Sequence, residues 1–119
     1  MIFIPGNVPS SKNSKQWTGK MLISSKTVRN YIKEHEKEWA LYKNDFLKLV
    51  KNKPKPYKVT FYFIRDTKRK FDYINACQLP CDLMVKLGWI DDDNCNEIIP
   101  VFKGYEVDKN NPGVRIEVL

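Results

Sequence analysis

Residues 57–65, YKVTFYFIR, constrain this chain more than any other stretch. Tyr57, Val59, Phe61 and Phe63 alternate with Lys58, Thr60, Tyr62 and Ile64. This two-residue period, carried by aromatic and β-branched side chains, predicts a nine-residue strand covered on at least one face. The segment ahead of it, KNKPKP, stops whatever helix precedes it, because proline has no amide to donate and biases its predecessor away from helical geometry. Further upstream, Val28, Tyr31, Ile32, Trp39, Tyr42, Phe46, Leu49 and Val50 recur at helical spacing. One long amphipathic helix is expected from about Thr27 to Val50, with Ser25 as its N-cap and His35 as a partly buried core histidine.

The remaining elements follow the same rules. IFI at 2–4 and MLIS at 21–24 read as short strands, and GNVPSSKNSKQWTGK between them as a loop too rich in Gly, Pro, Ser and Asn for a regular element. Asp72 to Lys86 reads as a second helix, with Ile74, Cys77, Cys81 and Val85 along one side. Pro80 lies inside it, which predicts a kink or a helix whose regular part begins near that residue. IIPVFKGYEV and VRIEVL read as strands joined by the turn DKNNPG. With 119 residues and 42% hydrophobic content, the expectation is one domain, 1–119, with a core that needs neither disulfide nor metal. Its class is α/β (α+β): a small mixed sheet with two packed helices. There is no apolar run of about 18 residues and no leader-like start, so a cytoplasmic protein is expected. Cys77, Cys81 and Cys95 lack the spacing of a zinc site and read as buried free thiols.

The formal net charge of +7 and pI of about 9.3 favour a polyanionic partner. Arg65, Lys68, Arg69 and Lys70 crowd the end of the aromatic strand, and Lys51, Lys53, Lys55 and Lys58 its beginning. Against that background GWIDDDN, residues 88–94, places Asp91, Asp92 and Asp93 side by side. Adjacent like charges repel unless water, a basic group or a cation screens them. Asp72 opens the neighbouring helix, so two separated carboxylate sources can converge on one hard cation beside a basic loop. Mg²⁺ suits such a place, since it commonly takes one or two carboxylates and completes its shell with water and substrate phosphate. Each residue also has a plainer reading: Asp72 with Asn75 as a helix cap, the three aspartates as a solvated turn, TKRK as a solvated loop, and Trp89 as core.

KRKFDYINACQLPCDLMVKLGWIDDDN resembles the RusA family of Holliday junction resolvases, whose pattern runs from basic residues through D-x-D-N-x-x-K to a Gly-hydrophobic turn and paired Asp. Asp72, Asn75, Asp82, Gly88, Ile90, Asp92 and Asp93 fall in register with it, and IPGNVPSSKNSK is similar to the family's opening. The resemblance implies a homodimeric, Mg²⁺-dependent endodeoxyribonuclease that cuts four-way DNA junctions, with Mn²⁺ as a substitute ion. It implies Asp72, Asp92 and Asp93 as catalytic metal ligands, with Asp91 the alternative if the register slips. Lys12, Asn13, Arg65, Lys68, Arg69, Lys70 and Asn75 would contact DNA. Ile74 and Gln78 depart from the pattern: the family has an acid at the first position and a lysine at the second. These departures open a second expectation, a RusA-like protein that binds branched or single-stranded nucleic acid without cutting it.

Overall fold

The structure, a computed structural model, describes residues 1–10, 15–17 and 22–119, with the backbone alone for 15–17 and 22–24. Its elements run β1 (Ile2–Pro5), β2 (Lys15–Trp17), β3 (Leu22–Ser24), α1 (Lys26–Leu41), α2 (Lys43–Val50), β4 (Tyr57–Arg65), α3 (Tyr73–Lys86), β5 (Ile98–Val107) and β6 (Gly113–Val118). A mixed four-stranded sheet has the order β1-β6-β4-β5, and β2 pairs with β3 in a separate antiparallel ribbon. The α+β class and mixed sheet expected from the sequence are therefore present, with three helices among the described residues where two were expected.

Strand β4 occupies YKVTFYFIR, antiparallel to β6 and parallel to β5. Val59, Phe61 and Phe63 are fully buried on one face; on the other Lys58 is exposed and Tyr62 half-buried, but Thr60 and Ile64 are buried as well, so the second face is covered in part. The DKNNPG turn does form, with Asn110 N–H donating to Asp108 Oδ1 at 3.1 Å. The strands it joins are not neighbours, however. The turn crosses the end of β4, where Asp108 N–H donates to the Arg65 carbonyl at 2.9 Å, and β4 lies between β5 and β6.

Three local expectations are corrected. The 27–50 helix is two helices separated at Tyr42, whose backbone (φ −89°, ψ 3°) leaves α geometry. No Gly or Pro causes the break; instead the turn lets Trp39 of α1 and Phe46 of α2 both enter one core, where each ring packs against Trp89 at 5.3 and 5.1 Å. Second, Lys15–Trp17 forms strand β2 inside the stretch read as a loop, because its backbone groups pair with β3. Third, the regular part of α3 does not begin near Pro80: the helix runs from Tyr73 to Lys86 through this buried proline. The proline deprives Ala76 of its i+4 donor, and packing of the apolar face holds the helix together across the gap.

Ser25 caps α1 as expected, accepting from Val28 N–H at 3.3 Å. His35 is largely covered, its ring 5.0 Å from that of Tyr31 and close against Gly6. Gly6 has φ +104°, and a Cβ there would lie 2.3 Å from His35 Nε2, so the first loop turns here only because residue 6 has no side chain.

Candidate functional site

The acidic loop begins with a helix end. At the C-terminus of α3, Gly88 adopts φ +81°, its N–H donates to the Val85 carbonyl at 3.2 Å, and Trp89 N–H donates to the Met84 carbonyl at 2.8 Å. This is a Schellman closure, with glycine in the left-handed position and an apolar contact sealing it. Trp89 and Ile90 then enter the core, and the Trp89 indole N–H donates to the Trp39 carbonyl at 2.9 Å. Anchored this way, the chain can only carry the next three aspartates outward, and all three are exposed.

Their surroundings separate them. Asp91 pairs with Lys55 at 3.1 Å, and the same ammonium reaches Glu97 at 2.9 Å, so the proline-rich segment is tied to the acidic loop. Hydrogen bonds to Glu97 and then Asp91 push the Lys55 ammonium above its ordinary pKa. Asp92 is used by its own loop, Oδ1 accepting from Asp93 N–H at 2.8 Å and Oδ2 from the Asn94 amide at 2.9 Å. Asp93 lines a cavity of about 330 Å³ with Ile74, Cys77, Gln78, Cys81, Pro100 and Phe102.

Asp72 stands at the N-cap position of α3, yet its side chain makes no cap hydrogen bond. It accepts instead from the Asn75 amide at 3.2 Å and lines a second cavity, of about 500 Å³, with Phe71, Tyr73, Ile74, Asn75 and Phe102. The two cavities adjoin between α3 and β5, with Ile74 and Phe102 in the lining of both, and the surface they make together is the candidate cleft. Asp72 lines one cavity and Asp93 the other, from different elements, while Asp91 pairs with Lys55 and Asp92 with its own loop.

The predicted basic residues divide as well. Lys68, Arg69 and Lys70 are exposed on the loop that leads into Asp72. Arg65 is not part of that surface. It is buried, its guanidinium donates to the Val8 carbonyl and to Ser10 Oγ at 3.1 Å, and its Cζ lies 4.6 Å from the centroid of Phe71. Arg65 therefore ties the first loop to the sheet, and the Asn7 side-chain Oδ1, accepting from Asp66 N–H at 3.0 Å, makes the adjoining stitch. Lys12 and Asn13 lie outside the described residues.

Cys77 and Cys81 are buried as expected, with their sulfurs 3.6 Å apart, and hydrogen bonding to Cys81 followed by burial pushes the Cys77 thiol far up. Cys95 is exposed, against expectation, because it follows the acidic loop outward. Sequence reasoning missed the cleft's walls. Tyr73 and Phe102 are stacked at 5.4 Å and 18°, and Phe71 meets Tyr105 edge-on at 5.2 Å. The aromatic pair flanking Asp72 in FDY was the available signal.

Among the described residues, no three His, Cys, Asp or Glu side chains converge closely enough to hold a metal ion by themselves. Asp72 and Asp93, each lining one of the adjoining cavities and neither in an ion pair among the described residues, are oxygen donors that fit Mg²⁺, which needs only one or two protein oxygens beside water and phosphate. Elsewhere, no helix among the described residues is long and apolar enough to cross a membrane. No protein-family model matches this chain, and no curated protein matches it.

Proposed function

We propose that this chain is a Mg²⁺-dependent endodeoxyribonuclease of the RusA type, cleaving four-way DNA junctions as a homodimer during recombination and repair in the cytoplasm of a bacterial or phage-infected cell. The observation that carries this reading is that Asp72 and Asp93 line two adjoining cavities, Asp72 just after the exposed run Lys68, Arg69, Lys70. Asp72 and Asp93 would hold the ion, and Mn²⁺ would substitute for it. When bound, Mg²⁺ supplies an activated water and neutralises charge on the phosphate oxygens.

The chain's own side chains do the rest. Lys68, Arg69 and Lys70 draw the DNA backbone toward the cleft and fix its register without reading sequence. Asn75 holds the Asp72 carboxylate in orientation through its 3.2 Å hydrogen bond. Lys55 neutralises Asp91 and Glu97, which lowers the negative charge a phosphate must approach. A two-fold dimer suits a substrate of approximate two-fold symmetry, because each subunit then meets an equivalent strand.

The test is cleavage of a labelled synthetic four-way junction by the wild-type chain, with Mg²⁺ or EDTA, and by Asp72→Asn and Asp93→Asn. Paired cuts that need the metal and disappear in both variants are expected. Cuts that persist in EDTA or in either variant would overturn the assignment.

A second reading is favoured by one observation: Ile74, 71% exposed, lies on the cleft where the resembled family has a carboxylate, and Gln78 where it has a lysine. On that reading the chain binds branched or single-stranded nucleic acid without cutting it. Tight junction binding with no strand cleavage in either Mg²⁺ or Mn²⁺ would select it.

A further inference from the structure

The cleft contains more apolar surface than two carboxylates require. Besides Asp72 and Asp93, its lining includes Phe71, Tyr73, Ile74 and Phe102, with the side-chain amides of Asn75 and Gln78. Ile74 is 71% exposed on the first turn of α3, and Phe102 is 36% exposed on β5. Ile74 does not stand alone: with Phe71, Tyr73 and Phe102 it makes a contiguous apolar patch, the kind of surface that marks a binding site.

Strand addition is a poor candidate for what binds there. β5 is an edge strand, but it carries Pro100, and its register with β4 shifts so that Phe61 faces Phe102 while Tyr62 faces Gly104. Lys103 is the extra residue of this bulge. A proline, a bulge and a lysine are the means by which edges refuse a further strand. The charges narrow the occupant further. Lys68, Arg69 and Lys70, exposed just before Asp72, attract a polyanion, and the phosphates belong to these cations and to an ion on the carboxylates. The apolar lining of Phe71, Tyr73, Ile74 and Phe102 suits the neutral part of a nucleic acid.

We propose that this apolar stretch receives an unpaired nucleobase, lying against Ile74 and the stacked Tyr73–Phe102 pair while the flanking phosphates rest on Lys68, Arg69 and Lys70. The inference rests on the nucleic-acid reading above and adds the group that the cleft recognises. Aromatic and aliphatic walls take any base by its π-face, and the Asn75 and Gln78 amides offer both donors and acceptors to its edge.

The experiment is equilibrium binding of the full chain to short fluorescent single strands of equal length and charge, one carrying bases and one abasic, with Ca²⁺ replacing Mg²⁺ to screen the carboxylates. About tenfold weaker binding of the abasic strand is expected, with an unchanged salt slope. Ile74→Ala, at an exposed position, and Phe102→Ala should each bring the ratio of affinities toward one. Equal affinity of the two strands for the wild-type chain overturns the base site and leaves the nucleic-acid reading standing, as does a ratio that both variants leave unchanged. Failure of either strand and of a four-way junction to bind at low salt overturns the nucleic-acid reading itself, and the base site with it.

Discussion

Trp39, Phe46 and Trp89 make one aromatic cluster of this protein, and Phe71, Tyr73, Phe102 and Tyr105 make another. In the first, Trp39 and Trp89 are 0% and 2% exposed, and each indole N–H has an acceptor, Tyr31 Oη at 3.0 Å for Trp39 and the Trp39 carbonyl at 2.9 Å for Trp89. In the second, Phe102 and Tyr105 are 36% and 51% exposed, and the rings line a cleft with carboxylates beside them. Ring contacts are of similar length in both, so geometry alone does not tell them apart. Water does: the buried cluster gains its full transfer free energy on folding, whereas the open one keeps part of that gain for a ligand.

The largest effect that would test the contrast is Trp89→Ala. Removing this ring leaves a cavity between α1, α2 and α3, and a loss of about 3 to 5 kcal/mol in urea unfolding is expected. A loss below about 1 kcal/mol would mean that the cluster collapses easily and is not the rigid partner in the comparison.

Arg65 stands between the clusters in kind: a charged side chain used for structure. Arg65→Ala leaves the buried Val8 carbonyl and Ser10 hydroxyl without their donor, so a loss of about 2 kcal/mol is expected. The salt dependence of junction binding should stay as it is, whereas Lys70→Ala should lower the slope of log affinity against log salt by about 1. A lowered slope in the Arg65 variant would return that residue to the DNA surface.

Tyr31→Phe removes the acceptor of the Trp39 indole, and about 1 to 2 kcal/mol should be lost at neutral pH. It also carries a pH signature. Burial, the largest influence, pushes the Tyr31 hydroxyl well above its ordinary value of 10.0. The folded state therefore holds the proton more tightly than the unfolded state does. Its stability contribution is complete below the unfolded tyrosine pKa and is lost as pH rises beyond about 10 toward the folded value. Equilibrium unfolding between pH 8 and 11 should show this decline in the wild-type chain and a shallower one in Tyr31→Phe.

The smallest stability effect belongs to the open cluster. Phe102→Ala should cost about 1 kcal/mol, since over a third of the ring already meets water. A loss as large as that of Trp89→Ala would show that the cleft wall is core, and the difference between the two clusters would disappear.

Much of this arrangement was legible in the residues. YKVTFYFIR announced its strand through alternation and Ser25 its helix start, because each depends on backbone geometry and neighbours within a few residues. The candidate site was legible as a composition: Asp72, the acidic triplet and a basic run, close in sequence to one another. What the letters did not distinguish was which acid opens into the cleft. Asp91, Asp92 and Asp93 are chemically identical, and only Lys55, distant in sequence, and the local turn around Asn94 set the first two apart from the third.

The sequence by itself therefore determined most of the kinds of element and the chain's own net positive charge. Those properties are sums over neighbouring residues, so one chain of letters contains them. Tertiary structure alone decided that the 27–50 helix breaks at Tyr42, that Arg65 turns inward, that β4 lies between β5 and β6, and that Phe102 lines one cavity with Asp72 and another with Asp93. Each of these depends on side chains far apart in the chain competing for the same buried volume or the same hydrogen-bond partner, and that competition is resolved only when the whole core packs.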